Sequence, residues 1–440
     1  MLLIPTVKPI SFPFKSHLFA FQLFCIIFIE IYYVKHILTF SISIFISCQL
    51  FAGGFQVNLQ GQRSTGMGHT GIGMRLGASS AFFNPGALAF SGTEVVLGIN
   101  LIASHVGYRE MQPGVYSASS TSGIGTPFNG HVAIRLGKDS PFVIGLSAYT
   151  PFGSGISYED QWKGQFLMRE LSLQTIFYQG TISYQVSDRL GIGIGYVFGT
   201  GDFSLRRGIP VQNAQGEYGE VNLHGKGIGH GFNVGIYYEL TEKVSLGVSY
   251  RSGMKVALDG GSAEFNVPPS LNSKFPNTTF GTEINLPKVI NFGISIKATE
   301  KTTFNFDANY VAWSSYDTLG FDFEENTEQL QDSKSPREYK NVVILRAGVE
   351  HQLNDDFDIR GGTYYDFSPV QKGYLTPETP DMDKVGVSVG ASYHINKFTI
   401  DASFLYVFGQ ERTDTNLETG FSGRWTSRAF IPGISFSYNF

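Results

Sequence analysis

Residues 190–198 read LGIGIGYVF, with an apolar or aromatic side chain at every second position and mostly glycine between them. A period of two is typical of a β-strand whose two faces differ. The same alternation returns at 290–296 (INFGISI), 304–310 (FNFDANY) and 398–406 (FTIDASFLY). The sequence therefore predicts an all-β protein whose sheet has one apolar face and one polar face.

Small residues dominate the polar face of these strands. The chain has 52 glycines and only 16% charged residues, whereas a soluble β-sandwich would cover its outer face with Lys and Glu. Its 38 Phe and 22 Tyr favour strands over helices. We therefore expect the apolar face to point outward into lipid. Because lipid cannot satisfy a free strand edge, the sheet has to close on itself.

The number of alternating segments predicts the size of the barrel. Beyond residue 52 no apolar run approaches the roughly 18 residues of a membrane helix, which excludes a helical membrane protein for that part. We expect a 14-stranded antiparallel transmembrane β-barrel with strands at 94–107, 130–138, 141–150, 169–186, 189–205, 219–239, 243–256, 282–298, 301–315, 340–352, 356–367, 384–395, 397–409 and 425–440.

Connection lengths carry independent information about orientation. Short turns rich in Asp, Asn, Gly and Lys alternate with long connections, as is typical of periplasmic turns and extracellular loops. The last segment reads ISFSYNF and ends on Phe440, which resembles the terminal signature of outer-membrane barrels. We therefore expect the outer membrane of a Gram-negative-type envelope. The long connections lie near 108–129, 151–168, 206–218, 257–281, 316–339, 368–383 and 410–424.

The first 52 residues are predicted to be a leader. Residues 34–52 have the order of a signal peptide: a short positive region, an apolar core and a small-residue cleavage site after Ala52. Residues 1–33 are interpreted as an over-extended start, with translation beginning at Val34. The alternative is a helical hairpin that anchors the amino terminus.

Cysteine and charge exclude several classes of site. Both cysteines, Cys25 and Cys48, lie in the predicted leader, so disulfide frameworks and cysteine-ligated metals are excluded for the rest of the chain. The formal net charge of −5 becomes more negative without the leader, which holds three lysines and one glutamate. This sign argues against nucleic acid as a partner. We predict no cofactor and no metal.

Residues 53–92 do not follow the strand rhythm. They are rich in glycine and too irregular to form a separate periplasmic domain. We predict that they form an amino-terminal hatch, a plug folded inside the lumen of a barrel made by residues 93–440.

Several motifs in this part resemble a known family, the FadL/TodX outer-membrane transporters of long-chain fatty acids and other hydrophobic compounds. Residues 54–58 (GFQVN) resemble the start of the family's hatch, and 83–89 (FNPGALA) its Asn-Pro-Ala signature, with Gly86 where the family usually has Ala. Further matches follow in order at 150–153 (TPFG), 162–164 (WKG), 250–252 (YRS), 313–314 (WS), 360–362 (RGG), 366–370 (DFSPV) and 380–383 (PDMD).

The resemblance implies uptake by diffusion. Ligand would be captured by apolar extracellular loops, enter a pocket inside the barrel and leave sideways where the third strand kinks beside the hatch. In this sequence the kink would fall near 151–155 (PFGSG), because Pro cannot donate to the ladder and Gly weakens it. Its candidate site residues are Pro151, Phe152 and Gly153. The alternative is an ordinary strand end followed by a turn.

The same resemblance supplies candidate contact residues. In the hatch they are Phe55, Asn84, Pro85 and Gly86, for ligand contact and gating; the alternative for Phe55 is simple packing. Arg206 or Arg207 would meet a ligand carboxylate, unless they form a solvated loop face. The expected capture surface is the apolar part of the loop that follows the seventh strand, at Phe265, Val267, Pro268, Pro269, Leu271 and Phe275.

Two other functions remain open at this point. An outer-membrane lipid hydrolase would need a serine or acid site with a histidine partner, and the sequence shows no motif for such a catalytic site. A structural or secretion-related relative could keep the fold without transporting. Asp381 and Asp383 could bind Ca²⁺, although a solvated loop is the simpler interpretation. Expected partners are hydrophobic small molecules, namely long-chain fatty acids or aromatic hydrocarbons, together with outer-membrane lipid and lipopolysaccharide; we expect a monomer.

Overall fold

The computed structural model describes residues 54–440. They form a closed, 14-stranded antiparallel β-barrel around a short helical hatch, which confirms the predicted fold class. The predicted leader, its cleavage site and Gly53 lie outside the described residues. None of the helices in the described part is long and apolar enough to cross a membrane.

The barrel strands are numbered here β1 to β14, and several are interrupted. Their bounds are β1 Glu94–Asn100 and Ala103–Arg109, β2 Ser117–Ser119 and Phe128–Arg135, β3 Phe142–Tyr149 and Gly153–Ser157, β4 Glu170–Gln185, β5 Leu190–Gln212, β6 Tyr218–Glu239, β7 Val244–Arg251 and Met254–Asn266, β8 Thr278–Leu286 and Val289–Lys297, β9 Thr302–Val311 and Thr318–Phe323, β10 Ser333–Pro336 and Val342–Gln352, β11 Phe357–Asp366, β12 Lys384–Ile395, β13 Phe398–Gly409 and β14 Ser422–Asn439; a short strand, Arg412–Thr415, pairs with β14.

Each strand pairs with its neighbours in sequence, and the last pairs with the first. The β1–β14 ladder runs from Glu94 opposite Asn439 to Asn100 opposite Gly433. Along β5 the apolar residues Ile192, Ile194 and Tyr196 are 42%, 57% and 58% exposed on the outer face, while the residues between them face the lumen. The apolar side of this wall therefore meets the membrane, as the alternation predicted.

Two strands extend further than the sequence indicated. β5 continues to Gln212 and β6 begins at Tyr218, so the long loop expected at 206–218 shrinks to residues 213–217. Likewise β7 runs to Asn266, inside the loop expected at 257–281. These strand ends carry charged residues such as Arg206 on β5 and Asp259 and Glu264 on β7, which interrupt the apolar alternation and made the segments look like loops.

The hatch lies in the lumen and touches most of the wall. Its helices are α1 (Gln62–Thr65), α2 (Ser80–Phe83) and α3 (Pro85–Leu88), with a 3₁₀ turn at Gly77–Ser79. α1 contacts β12, β13 and β14, α2 contacts β3, and α3 contacts β4, β5, β6 and β7. Apolar hatch residues join inward-facing wall residues in two buried clusters, one large and one small. The buried core of the molecule therefore fills the lumen, inside a wall whose outer face is also apolar.

Candidate functional site

Strand β3 is broken where the resemblance placed a kink. It stops at Tyr149 and resumes at Gly153. The half before the break pairs with both β2 and β4, but the half after it pairs only with β4. On the β2 side, Ser157 makes the contacts: its carbonyl accepts from Thr121 N at 2.8 Å and its N–H donates to Ser122 Oγ at 3.1 Å. The break leaves a gap in the wall between β2 and β3.

The first residues of the hatch pair with the broken strand. Val57 N donates to Pro151 O at 2.8 Å, and Gly153 N donates to Phe55 O at 3.0 Å. Thr175 Oγ1 on β4 donates to Phe152 O at 2.8 Å. Because Pro151 is needed here only as an acceptor, its missing N–H costs no ladder bond. The structure thus brings together four predicted residues: Phe55, Pro151, Phe152 and Gly153.

An aromatic cluster holds the Phe55 ring, which is 6% exposed. Its centroid lies 4.8 Å from Trp313, 5.4 Å from Tyr316 and 6.1 Å from Phe152, all edge to face. Burial raises the pKa of the Tyr316 hydroxyl, so this group stays uncharged beside Phe55. In the sequence, Trp313 stood out only as a family motif and Tyr316 gave no signal, because both act through a contact more than 250 residues away in the chain.

A polar clamp fixes the residue before Phe55. Gly54 N donates to Asp381 Oδ2 at 3.1 Å, Ser368 Oγ donates to the same oxygen at 2.7 Å, and Lys384 Nζ lies 2.6 Å from Asp381 Oδ1. Gly54 has φ +65°, and a Cβ there would lie 2.6 Å from the Trp313 ring, so no other residue fits. Protein donors thus occupy both oxygens of Asp381. Among residues 54–440, no group of three or more His, Cys, Asp or Glu is arranged to hold a metal ion.

A cavity of about 610 Å³ lies between the hatch segment and the gap. Its lining includes residues 54–59 of the hatch and both edges of the gap, 122–127 and 153–157. Apolar side chains such as Ile156 and Leu173 cover much of it. A volume of this order is in the range of pockets that hold small hydrophobic ligands.

The Asn-Pro turn of the hatch packs directly against the backbone of the wall, at positions where the wall has glycine. Asn84 Oδ1 caps α3 by accepting from Gly86 N at 3.0 Å, and its Nδ2 donates to Ile72 O at 2.9 Å and Ile236 O at 3.0 Å. A Cβ at Gly193 would lie 2.4 Å from Pro85 O. The inward glycines of the LGIGIG stretch therefore make room for the hatch. Asn84, Pro85 and Gly86 lie here, away from the cavity lining.

His69 stabilises the segment of the hatch that precedes the Asn-Pro turn. His69 Nε2 accepts from Gln60 N at 3.2 Å. Burial, followed by the nearby Arg346 and Arg251 charges, holds the pKa of His69 well below its usual range. The ring is therefore neutral and keeps the acceptor that this bond requires.

We expect Gly86→Ala to loosen the hatch. A Cβ at Gly86 would lie 2.6 Å from Gly191 O and 2.7 Å from Tyr237 N, and because these are backbone atoms of paired strands they cannot move aside. Overpacking of this kind costs about 1–3 kcal/mol. Limited proteolysis and thermal unfolding in detergent should show earlier cleavage of the hatch and a lower Tm.

Gly92→Ala is the matched control, because a Cβ at this hatch glycine meets no atom within 4 Å. Equal protease resistance of the Gly86→Ala and Gly92→Ala proteins would contradict the assigned dock.

The two candidate arginines differ in surroundings. Arg206 faces outward and lies 2.7 Å from Asp160, 3.1 Å from Glu220 and 3.4 Å from Glu170, so its charge is already neutralised. Arg207 has the inward parity of Leu205, is exposed and has no ion pair within residues 54–440. Neither arginine lines the 610 Å³ cavity. Of the pair, Arg207 is the one on the lumen side of the wall, opposite the buried Val221.

The expected capture surface is half-buried. Phe265 lies in β7, Leu271 in a 3₁₀ turn, and the Phe265 and Phe275 rings are 6.0 Å apart. Phe265, Val267 and Phe275 pack against the buried core of the lumen. The apolar contacts of this loop thus continue into the core of the lumen.

Comparison with known proteins gives consistent matches. A family model described as "Outer membrane protein transport protein (OMPP1/FadL/TodX)" matches residues 43–440. The long-chain fatty acid transport protein of Escherichia coli O6:H1 is 22% identical over 437 residues, covering 90% of this chain and 96% of that protein.

Two solved structures share the fold. A Pseudomonas aeruginosa FadL homologue superposes with a TM-score of 0.78 at 20% identity, covering 88% of this chain and 100% of that one. The toluene transporter TodX of P. putida gives a TM-score of 0.68 at 17% identity, covering 89% and 99%.

Proposed function

Because this chain belongs to the OMPP1/FadL/TodX family of outer-membrane transport proteins, we propose that it takes up long-chain fatty acids and other hydrophobic molecules by diffusion past its hatch, with exit through the gap beside β3. Members of this family are transport channels rather than enzymes. A fatty acid gains about 0.8 kcal/mol per methylene on leaving water, so an open aqueous pore would be a poor conduit for it.

The observation that carries the proposal is the position of the cavity. It is bounded by the hatch segment 54–59 and reaches both edges of the gap. Phe55 lines this cavity and packs on its other side against Trp313 and Tyr316. Movement of the hatch segment that carries Phe55 would widen the cavity at the gap, through which ligand would reach the membrane.

The charges around the cavity bear on the choice of ligand. Among the described residues that line it, Glu170, Asp366, Glu378 and Asp381 are acidic and Lys384 is the one cation. Lys384 is engaged with Asp381 at 2.6 Å. A fatty acid carboxylate would have to compete with Asp381 for Lys384, which would also loosen the clamp on Gly54. A neutral aromatic hydrocarbon meets no such requirement and is the second candidate ligand.

Uptake by a host that lacks its own hydrophobic channel tests the proposal. Cells carrying this protein should accumulate labelled oleate and toluene faster than cells without it. With Lys384→Met/Asp381→Asn, we expect oleate uptake to fall about tenfold, because an unpaired ligand carboxylate is costly to bury, while toluene uptake stays within about twofold. Asn at 381 can still accept from Gly54, so the hatch contact is kept.

The two parts of the proposal fail separately. If the unaltered protein moves neither probe, transport of hydrophobic molecules is wrong. If the double variant slows both probes equally, Lys384 has no role in recognising the carboxylate.

A further inference from the structure

A basic patch lies on the outer face of the barrel where β1 meets β14. It consists of His105 and Arg109 on β1 and Arg428 and Arg424 on β14, which are directly opposite each other in the ladder. Directly opposed residues share a face. Tyr108 and Trp425, of the other parity, are buried in the lumen at 3% and 2% exposure, so all four basic side chains point outward.

This patch is not neutralised by the protein. Within the part of the chain that the structure describes, Glu411, 3.3 Å from Arg424, is the single carboxylate in contact with the patch. Arg109, Arg428 and His105 have no side-chain hydrogen bond or ion pair within residues 54–440. Several cations elsewhere on the outer face do have carboxylate partners: Arg206 pairs with Asp160, Glu170 and Glu220, Lys226 with Asp202, and Lys255 with Glu283. Like charges that are directly opposite in a ladder are destabilising. Binding of an external anion would therefore reduce the repulsion between these cations.

The patch lies at the upper edge of the apolar belt. On β14 the outward apolar residues run from Tyr438 through Phe436 and Ile434 to Phe430, about 26 Å along the strand. With the usual strand tilt this corresponds to roughly 20 Å of height, close to the apolar band of an outer-membrane barrel. Arg428 is the next outward residue above Phe430. Its charge therefore meets the headgroup layer of the outer leaflet.

We propose that the basic patch binds the phosphate groups of lipid A, the phosphorylated glycolipid of the outer leaflet. Guanidinium groups bind phosphate with bidentate, charge-assisted hydrogen bonds. The Arg109–Arg424 pair and the His105–Arg428 pair are four residues apart along the strands, about 13 Å, so the patch presents two cationic points to a ligand with two phosphates. Outward hydroxyls of Ser117, Ser119 and Thr426 flank them.

Binding of lipid A in detergent micelles tests this site. For Arg109→Gln/Arg428→Gln we expect about thirtyfold weaker binding of bisphosphorylated lipid A, taking each arginine near an anionic surface at its usual contribution. Monophosphorylated lipid A should bind the unaltered protein more weakly than the bisphosphorylated form. Folding is checked by the mobility shift between boiled and unboiled samples on gels.

Lys226→Gln/Lys255→Gln removes the same charge from outward cations that already have carboxylate partners, and this control should bind lipid A within about threefold of the unaltered protein. Inorganic phosphate at millimolar concentration should not displace the lipid. The proposal is overturned by an Arg109→Gln/Arg428→Gln protein that binds normally, by an equal loss in the control, or by displacement with inorganic phosphate, which would make free phosphate the ligand.

Discussion

A disulfide between Gln56→Cys and Phe152→Cys should lower uptake at least tenfold in the oxidised protein, and reduction should restore it. The two residues are directly opposite in the short ladder between the hatch and β3, flanked by the bonds Val57 N to Pro151 O and Gly153 N to Phe55 O. Such a non-hydrogen-bonded pair has the closest side chains, with Cβ atoms about 4.5 Å apart, near the span of a disulfide. The cross-link would hold Phe55 beside Trp313.

The same protein in its reduced form is the control, because it contains both substitutions without the bond. Residues 54–440 have no other cysteine, so the oxidised product can be identified by mass alone. Each single-cysteine variant reports the cost of losing the native side chain. Fast uptake by a fully cross-linked protein would show that ligand passes without movement of the hatch segment.

The barrel was predictable because its cause is local. Alternation such as that of Ile192, Ile194 and Tyr196 is set by which face meets lipid, and each strand displays it without reference to the rest of the chain. The β3 break carries a local mark too, since Pro151 and Gly153 are poor strand residues. The strand alternation and the strand break can both be recognised within about ten consecutive residues.

The site needed the structure because its contacts are long-range. Asp381 clamps Gly54 across 327 positions. The sequence offered it as part of a family motif, as a loop residue or as a Ca²⁺ ligand, but not as a partner of Gly54. The sequence indicated only that Gly193 is a small residue facing the lumen. In the structure, its lack of a Cβ makes room for the Pro85 carbonyl oxygen. Side chains that meet only after the barrel closes leave no periodic signal in the chain.

The two candidate arginines also show what the sequence alone could not predict. Arg206 and Arg207 are adjacent, and the sequence could not choose between them. Strand parity sends Arg206 outward to three carboxylates and Arg207 inward. The choice depends on register, which follows from β5 continuing to Gln212 rather than ending at the loop expected there.

Filling the gap beside β3 should stop lateral exit. Gly123 and Gly155 lie on its two edges, both line the cavity, and a Cβ at either meets no atom within 4 Å. Gly155 has the outward parity of its partner Ser172, whereas its neighbour Ile156 is buried. Gly123→Trp/Gly155→Trp therefore adds two large side chains at the membrane-side mouth of the gap. We expect uptake of both oleate and toluene to fall at least tenfold, measured in cells with equal amounts of protein in the outer membrane.

The matched control is Gly180→Trp on β4, where a Cβ also meets open space. Gly180 is opposite the outward residues Leu146 and Tyr196, so its substitution places the same side chain against lipid, away from the gap. This variant should transport normally. If the Gly123→Trp/Gly155→Trp protein transports as well as the control, ligand leaves by another route. One such route is downward past α1 into the periplasm, where the cavity lined by Arg63, Glu94 and Arg360 is polar and suits water better than a hydrocarbon.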